Sequence, residues 1–205
     1  MELALFDLDN TLLSGDSDHG WSQFLIEQGV LDRTVFEQRN DDFFAQYKAG
    51  TLDIYEYVAF HMTALGRFPR AQLDAWHRQF MSKKIKPMIT QKSRALISHH
   101  QVRGTLCAVV TATNSFVTAP IAAELAIAHL LATEAEEIDG RFTGRVSGTP
   151  CFREGKIKRV EQFLSERGMS FDSFSKSYFY SDSLNDLPLL SRVSHPVAVD
   201  PDPTL

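Results

Sequence analysis

Asp7 and Asp9 stand two residues apart in Leu3-Ala4-Leu5-Phe6-Asp7-Leu8-Asp9-Asn10-Thr11-Leu12, directly after an apolar run too short for a helix. Such a run reads as a buried strand. In an open α/β sheet the ligand site lies just beyond the carboxyl ends of the parallel strands. A carboxylate placed there can act as a covalent nucleophile, and a second one beside it can move protons. A bare pair of acids at this spacing also serves as loop or helix-cap chemistry, so the pair needs partners elsewhere in the chain before it means catalysis.

Three later segments complete the pattern. In Val110-Thr111-Ala112-Thr113-Asn114, an apolar strand running from Gly104 ends at Thr111. Its hydroxyl and nearby N–H groups, that of Ala112 included, can bind a phosphoryl oxygen ahead of the next helix. Glu154-Gly155-Lys156-Ile157-Lys158 offers a lysine at a helix start, with Arg153 and Lys158 as rivals and apolar Val160 at i+4 of Lys156. Ser181-Asp182-Ser183-Leu184-Asn185-Asp186 sets two acids and an amide after Tyr178-Phe179-Tyr180. Phosphate monoester hydrolysis needs an in-line nucleophile, charge neutralisation and a proton for the leaving oxygen.

In this order the four segments resemble the haloacid-dehalogenase-like phosphohydrolases, in particular their phosphoserine-phosphatase-like branch. The resemblance implies a doubly wound α/β core with an inserted helical cap. It makes Asp7 the nucleophile, Asp9 the general acid and base, Thr111 the phosphate binder and Lys156 the charge-offsetting lysine. Asp182 coordinates Mg²⁺, Asp186 completes an acidic shell with Asp7 and Asp9, and Asn185 orients Asp186 or Lys156 near the substrate. The acidic loop departs from the family's GDGxND pattern, since serine replaces both glycines. Hard oxygen ligands with several retained waters favour Mg²⁺. The branch's amine-binding acid falls, counted from Asp7, on Asp16, which also reads as a turn residue. The branch's cap arginine falls on His61, with Arg39 or Arg67 as possible substitutes. The expected reaction is Mg²⁺-dependent hydrolysis through an aspartyl-phosphate. The substrate is expected to be a small phosphorylated amine or amino alcohol, histidinol phosphate being one candidate and phosphoserine the alternative. A phosphotransferase shares the same intermediate and stays open. A non-enzymatic phospho-acceptor fits least, having no use for a helical insert or an Asp9.

The elements that must hold these residues are set by periodicity. After the first strand, Ser14-Gly15-Asp16-Ser17 turns away, and four helical stretches come next. They run from Trp21 to Gly29, Val35 to Gly50, Leu52 to Gly66, and Pro69 to Phe80, with Pro69 at its start. Lys83 to Pro87 reads as a return linker, its proline disfavouring helix at the preceding residue. Beyond Met88, helices alternate with strands: helix from Ile89, strand to Val110, helix from Thr118 with Pro120 in its first turn. A short strand His129–Ala132 and a hairpin turning at Asp139-Gly140 succeed them, then a helix from Lys156, a strand at Tyr178 and a strand at Val197. This alternation implies a mostly parallel sheet, with the core at residues 1–14 and 88–205 and the cap at 15–87.

The chain has 205 residues, 43% hydrophobic and 23% charged, enough for one core with an insert. Its net charge of -5 and lack of a basic cluster argue against nucleic acid. The opening apolar run stops too early for a signal or a membrane span, so a cytoplasmic enzyme is expected. Cys107 and Cys151 fit no metal spacing; Cys107 reads as core and Cys151 as the more accessible.

Overall fold

The computed structural model describes residues 1–201, 203 and 205. The opening run forms β1 (Glu2–Phe6), whose Leu3, Ala4, Leu5 and Phe6 are wholly buried. It lies at the centre of a six-stranded sheet of order β4-β3-β2-β1-β5-β6, with β2 (Leu106–Asn114), β3 (His129–Ile138), β4 (Arg141–Ser147), β5 (Lys176–Ser181) and β6 (His195–Ala198). All pairings are parallel except β3–β4. A strand buried on both faces needs no alternation, which is why β1 and β2 read as unbroken apolar runs. The order reverses at β1: the chain steps one way through β2 and β3, then returns to β5 on the other side. The crevice at the β1 and β5 ends is therefore the switch point where ligands bind in such sheets.

Between β1 and the rest of the sheet come α1 (Ser17–Glu27), α2 (Arg33–Ala49), α3 (Ile54–Gly66) and α4 (Arg70–Phe80). Asp16, Asp32 and Asp53 cap the first three, each accepting from main-chain N–H groups of the first turn. Pro69 sits at the N-cap of α4, one place ahead of the helix. Trp21, Phe24, Phe36 and Phe80 of this insert join Phe6, Leu8 and Phe116 of the core in one buried cluster.

The return to the sheet is not the linker that Pro87 suggests. α4 runs on through a π-helical stretch, Met81–Ile85, into a single turn α5 (Lys86–Met88), with Pro87 in its first positions. Proline lacks an N–H and crowds the preceding turn. The wider π turn, in which the Lys86 N–H reaches Met81 O, makes room for it. Outgoing and returning chains meet where Leu13 bridges Ile89 and the Ser14 N–H donates to Met88 O at 2.9 Å.

α6 (Gln91–Gln101) leads to β2, which passes Thr111 and continues to Asn114. Helix α7 then starts at Ser115, so Pro120 lies inside it and not in its first turn. β3 is longer than the short strand expected, because it pairs first with β2 and then with β4 across the turn at Asp139 and Gly140. Both turn residues have positive φ, 51° and 74°, the two-residue hairpin geometry that suits strand twist. The hairpin also holds the insert: a Cβ on Gly66 of α3 would lie 3.1 Å from the Gly144 nitrogen of β4. α8 (Glu154–Ser165) and α9 (Leu187–Leu190) complete the second layer. Cys151 is wholly buried, with its Sγ on Leu131 O, correcting the accessible position expected for it. Among the described residues no helix is long and apolar enough to cross a membrane.

Candidate active site

The end of β1 places Asp7 in the crevice. Its N–H donates to Tyr180 O on β5 at 2.9 Å, so the two strand ends are locked together. Asp7 Oδ1 accepts from Lys156 Nζ at 2.7 Å, and the same ammonium donates to Asp186 Oδ2 at 2.7 Å. Lys156 is only 3% exposed. It reaches the crevice from the first turn of α8, and Gly155 allows that approach: a Cβ there would sit 2.1 Å from Pro150 O. Burial alone lowers a lysine's pKa, but Asp186 and Asp7 outweigh it and hold Lys156 firmly charged. Burial pushes the Asp7 carboxyl up, Lys156 opposes this, and repulsion from Asp186 and Asp182 adds to it.

Asp9 faces the other way, toward the insert. Its Oδ1 accepts from the Ser17 N–H at 2.6 Å and its Oδ2 from Thr113 Oγ1 at 2.8 Å. Burial first, then the charge of Asp16, raises this carboxyl to about 7, against the pull of its hydrogen bonds from Ser17 and Thr113. A carboxyl poised near the working pH suits proton transfer.

Residues 111–113 bulge out of β2, between the Val110–Leu131 and Asn114–Thr133 pairs. Bulges re-aim side chains beside active sites. Thr111 is buried and its Oγ1 accepts from the Thr113 N–H at 3.2 Å, with half-buried Ala112 between them. Asp182 follows β5, tied to the β1 loop through Thr11: Thr11 Oγ1 donates to Asp182 Oδ1 and accepts from the Asp182 N–H, both at 3.0 Å. Burial raises the Asp182 carboxyl as well.

Asn185 does not reach Lys156 or Asp186 as expected. Its Oδ1 accepts from Arg153 Nε at 2.9 Å and Nη2 at 2.8 Å. Asp16 spends Oδ1 on the α1 cap, accepting from the Asp18 and His19 N–H groups, and the residue is exposed. His61 is buried in the insert beside Asp18 and Ser22, its Nδ1 3.9 Å from Asp18 Oδ2. Arg39 is paired with Glu56, and Arg67 is exposed after α3. The reading of the sequence missed the partners that orient the acids: Ser17 and Thr113 on Asp9, Thr11 on Asp182, and Ser181 on Asp186 at 2.7 Å. The serines standing where the family pattern has glycine were the one available signal.

Asp7 and Asp186 share the one Lys156 ammonium and Asp182 stands nearby on the Thr11 hydroxyl, so the donor set is hard, anionic and undercompensated. Among the described residues no three His, Cys, Asp or Glu side chains already form a cage. A hard anionic donor set suits an ion such as Mg²⁺, which keeps several waters and takes one or two carboxylates plus substrate phosphate.

The haloacid dehalogenase-like hydrolase family model matches residues 4–191. Histidinol-phosphatase of Neisseria meningitidis serogroup C (strain 8013) is 46% identical over 99% of this chain and 92% of its own length. A crystal structure of a protein of unknown function from Bordetella pertussis Tohama I superposes with a TM-score of 0.94 at 47% identity, covering 99% of this chain and 92% of that one. A substrate-bound phosphoserine phosphatase shares the fold, with a TM-score of 0.72 at 19% identity over 99% of this chain and 88% of the other.

Proposed function

The chain belongs to the haloacid dehalogenase-like hydrolase family and is a phosphatase, and from that premise we propose how its own residues carry out the reaction. The carrying observation is the Lys156 bridge between Asp7 and Asp186, with Asp9 anchored two residues beyond the nucleophile. Lys156 holds one oxygen of Asp7, and the other attacks phosphorus. The bond from phosphorus to the ester oxygen breaks as Asp9 delivers its proton to the leaving alkoxide. Asp9, now a carboxylate, takes a proton from water as that water attacks the aspartyl-phosphate. Phosphate leaves and Asp7 is restored. Thr111 and the N–H of Ala112 hold phosphoryl oxygens at the β2 bulge. Mg²⁺ would be held by the carboxylates of Asp7, Asp182 and Asp186, with Asp9 beside them anchored by Ser17 and Thr113. Bound there, the ion neutralises the carboxylates and polarises the phosphoryl group.

We assign residues 15–87 as a cap over a core of 1–14 and 88–205, supported by the crossing at Leu13–Ile89. The substrate is a small phosphorylated amino alcohol, for which histidinol phosphate is our first choice, given the Neisseria relative. Two features support an ammonium group. Asp9, Asp16 and Asp18 form a row whose charges repel one another. The cap position expected to carry an arginine for a carboxylate carries His61, turned onto Asp18. The second oxygen of Asp16 is the ammonium's partner in this reading, and Asn185 acts on the substrate side through its neighbours Arg153 and Tyr47. A cytoplasmic setting goes with it, supported by two cysteines kept as buried free thiols. The test is phosphate release by purified protein with Mg²⁺ from histidinol phosphate, phosphoethanolamine and phosphoserine. Preference for phosphoserine moves the substrate to the alternative, and release from none of a broad panel of monoesters sinks the reading.

A further inference from the structure

A continuous hydrogen-bonded path joins the helical insert to the nucleophile. Near the end of α2, the Tyr47 phenol hydrogen-bonds Ser183 Oγ in the loop after β5. The Ser183 N–H donates to Ser181 Oγ at 3.1 Å, and Ser181 Oγ donates to Asp186 Oδ2 at 2.7 Å. Lys156 then bridges Asp186 to Asp7. Ser181, Ser183, Asp186 and Lys156 are all buried. A second strut runs beside the first. Arg153 Nη2 donates to Gly50 O, just past Tyr47, at 2.8 Å while the same guanidinium holds Asn185. Arg153 stands three residues before Lys156 with φ at 49°, an uncommon backbone for a non-glycine residue that its neighbours must hold in place. The end of α2 thus presses on the residues flanking both Asp186 and Lys156.

We propose that Tyr47 is a positioning residue for the nucleophile: through Ser183 and Ser181 it sets the Asp186–Lys156–Asp7 array, so that seating the insert and orienting Asp7 are one event. The two serines are what make this path. Glycine at 181 and 183 would leave the loop more freedom and no hydroxyl to pass an orientation along. In a buried network such hydrogen bonds reinforce one another. Burial raises the Tyr47 phenol to about 12, which keeps it neutral and able to donate at any working pH.

The inference rests on Asp7 being the nucleophile. It is tested with Tyr47→Phe, Ser183→Ala and the double variant in the intact protein, by Mg²⁺-supplemented turnover of histidinol phosphate and by amide exchange of residues 181–186 without substrate. Each single variant is expected to lower kcat roughly tenfold with KM changed less than about twofold, and the double to fall no further than either alone. Exchange at the Ser183 and Asp186 amides is expected to quicken in Tyr47→Phe. A raised KM with unchanged kcat, losses that multiply in the double, or unaltered exchange overturns the proposal. If Tyr47→Phe does not fold, Ser183→Ala decides by kcat against KM and by exchange at the Asp186 amide, an unchanged kcat or unaltered exchange overturning the proposal. A wild-type protein inactive on every monoester would remove the catalytic reading, while the exchange measurement would still test the path.

Discussion

The crevice at the β1 and β5 ends and the polar cluster between α1 and α3 are built from similar residues and finished differently. In the crevice, Asp7, Asp9, Asp182 and Asp186 each accept a hydrogen bond from a donor on another segment. In the insert, Asp18 Oδ2 accepts from the Tyr57 hydroxyl at 2.5 Å, but Asp18 Oδ1, Ser17 Oγ and His61 Nε2 are buried without a partner among the described residues. Leaving such an atom unsatisfied costs about 1–3 kcal/mol. The contrast separates two tasks. The four crevice acids are each engaged by a side-chain donor, whereas the insert keeps polar capacity that its own side chains do not consume.

The deepest break on the crevice side is Asp7→Asn. An amide cannot attack phosphorus, so kcat should fall by about 10⁴-fold or more while the melting temperature holds, since the amide still accepts from Lys156. Ordinary turnover by the purified variant would overturn the mechanism.

Metal dependence comes next. Dialysis against chelator should abolish activity and Mg²⁺ should restore it. Asp182→Ala should raise the Mg²⁺ concentration needed for half-maximal rate by roughly tenfold or more, because one of few carboxylate ligands is gone. Full activity in excess chelator removes the ion from the site.

Asp9→Asn should lower kcat by roughly 10²–10⁴-fold, the usual contribution of general acid–base groups. The shift of Asp9 to about 7 fixes the sign of its pH dependence. The acid form is complete well below that value and is lost as pH rises through it, so wild-type kcat/KM should decline on that limb and Asp9→Asn should flatten it. The folded chain holds a proton that the unfolded chain has released between the ordinary carboxyl range and about 7. Metal-free stability should therefore fall across that window, and less so in Asp9→Asn. Melting curves between these limits check it.

The smallest expected effect lies at the boundary of the two regions. Asp16→Asn keeps an α1 cap but removes a charge, so kcat/KM for phosphoethanolamine should drop roughly tenfold. p-Nitrophenyl phosphate, with no ammonium, should be used as before. Equal losses on both substrates would make Asp16 a structural cap alone.

The core of the site was legible because its signals are local. A short apolar run stopped by acids reads as a buried strand end whatever surrounds it, and the two-residue turn at Asp139-Gly140 carries its own backbone demand. The same locality explains the misses. Pro87 reads as a break because its missing N–H is visible in the sequence, while the π turn that accommodates it depends on the helix arriving from Arg70. Cys151 reads as loop because nothing nearby in sequence covers it; Leu131 and Thr133, about twenty residues away, do.

What the sequence by itself determined is a set of candidate residues and their order: Asp7 and Asp9 after a strand, Lys156 at a helix start, Asp182 and Asp186 after another strand. Their roles come from the resemblance of these segments, in type, spacing and order, to the haloacid-dehalogenase-like phosphohydrolases. Only the tertiary structure decided which group holds which. Lys156 meets Asp7 across 149 residues, Thr113 meets Asp9 across 104, and Tyr47 meets Ser183 across 136. A hydrogen bond needs its partners within about 3 Å, and across such separations the parallel order of the sheet and the seat of the insert supply that proximity.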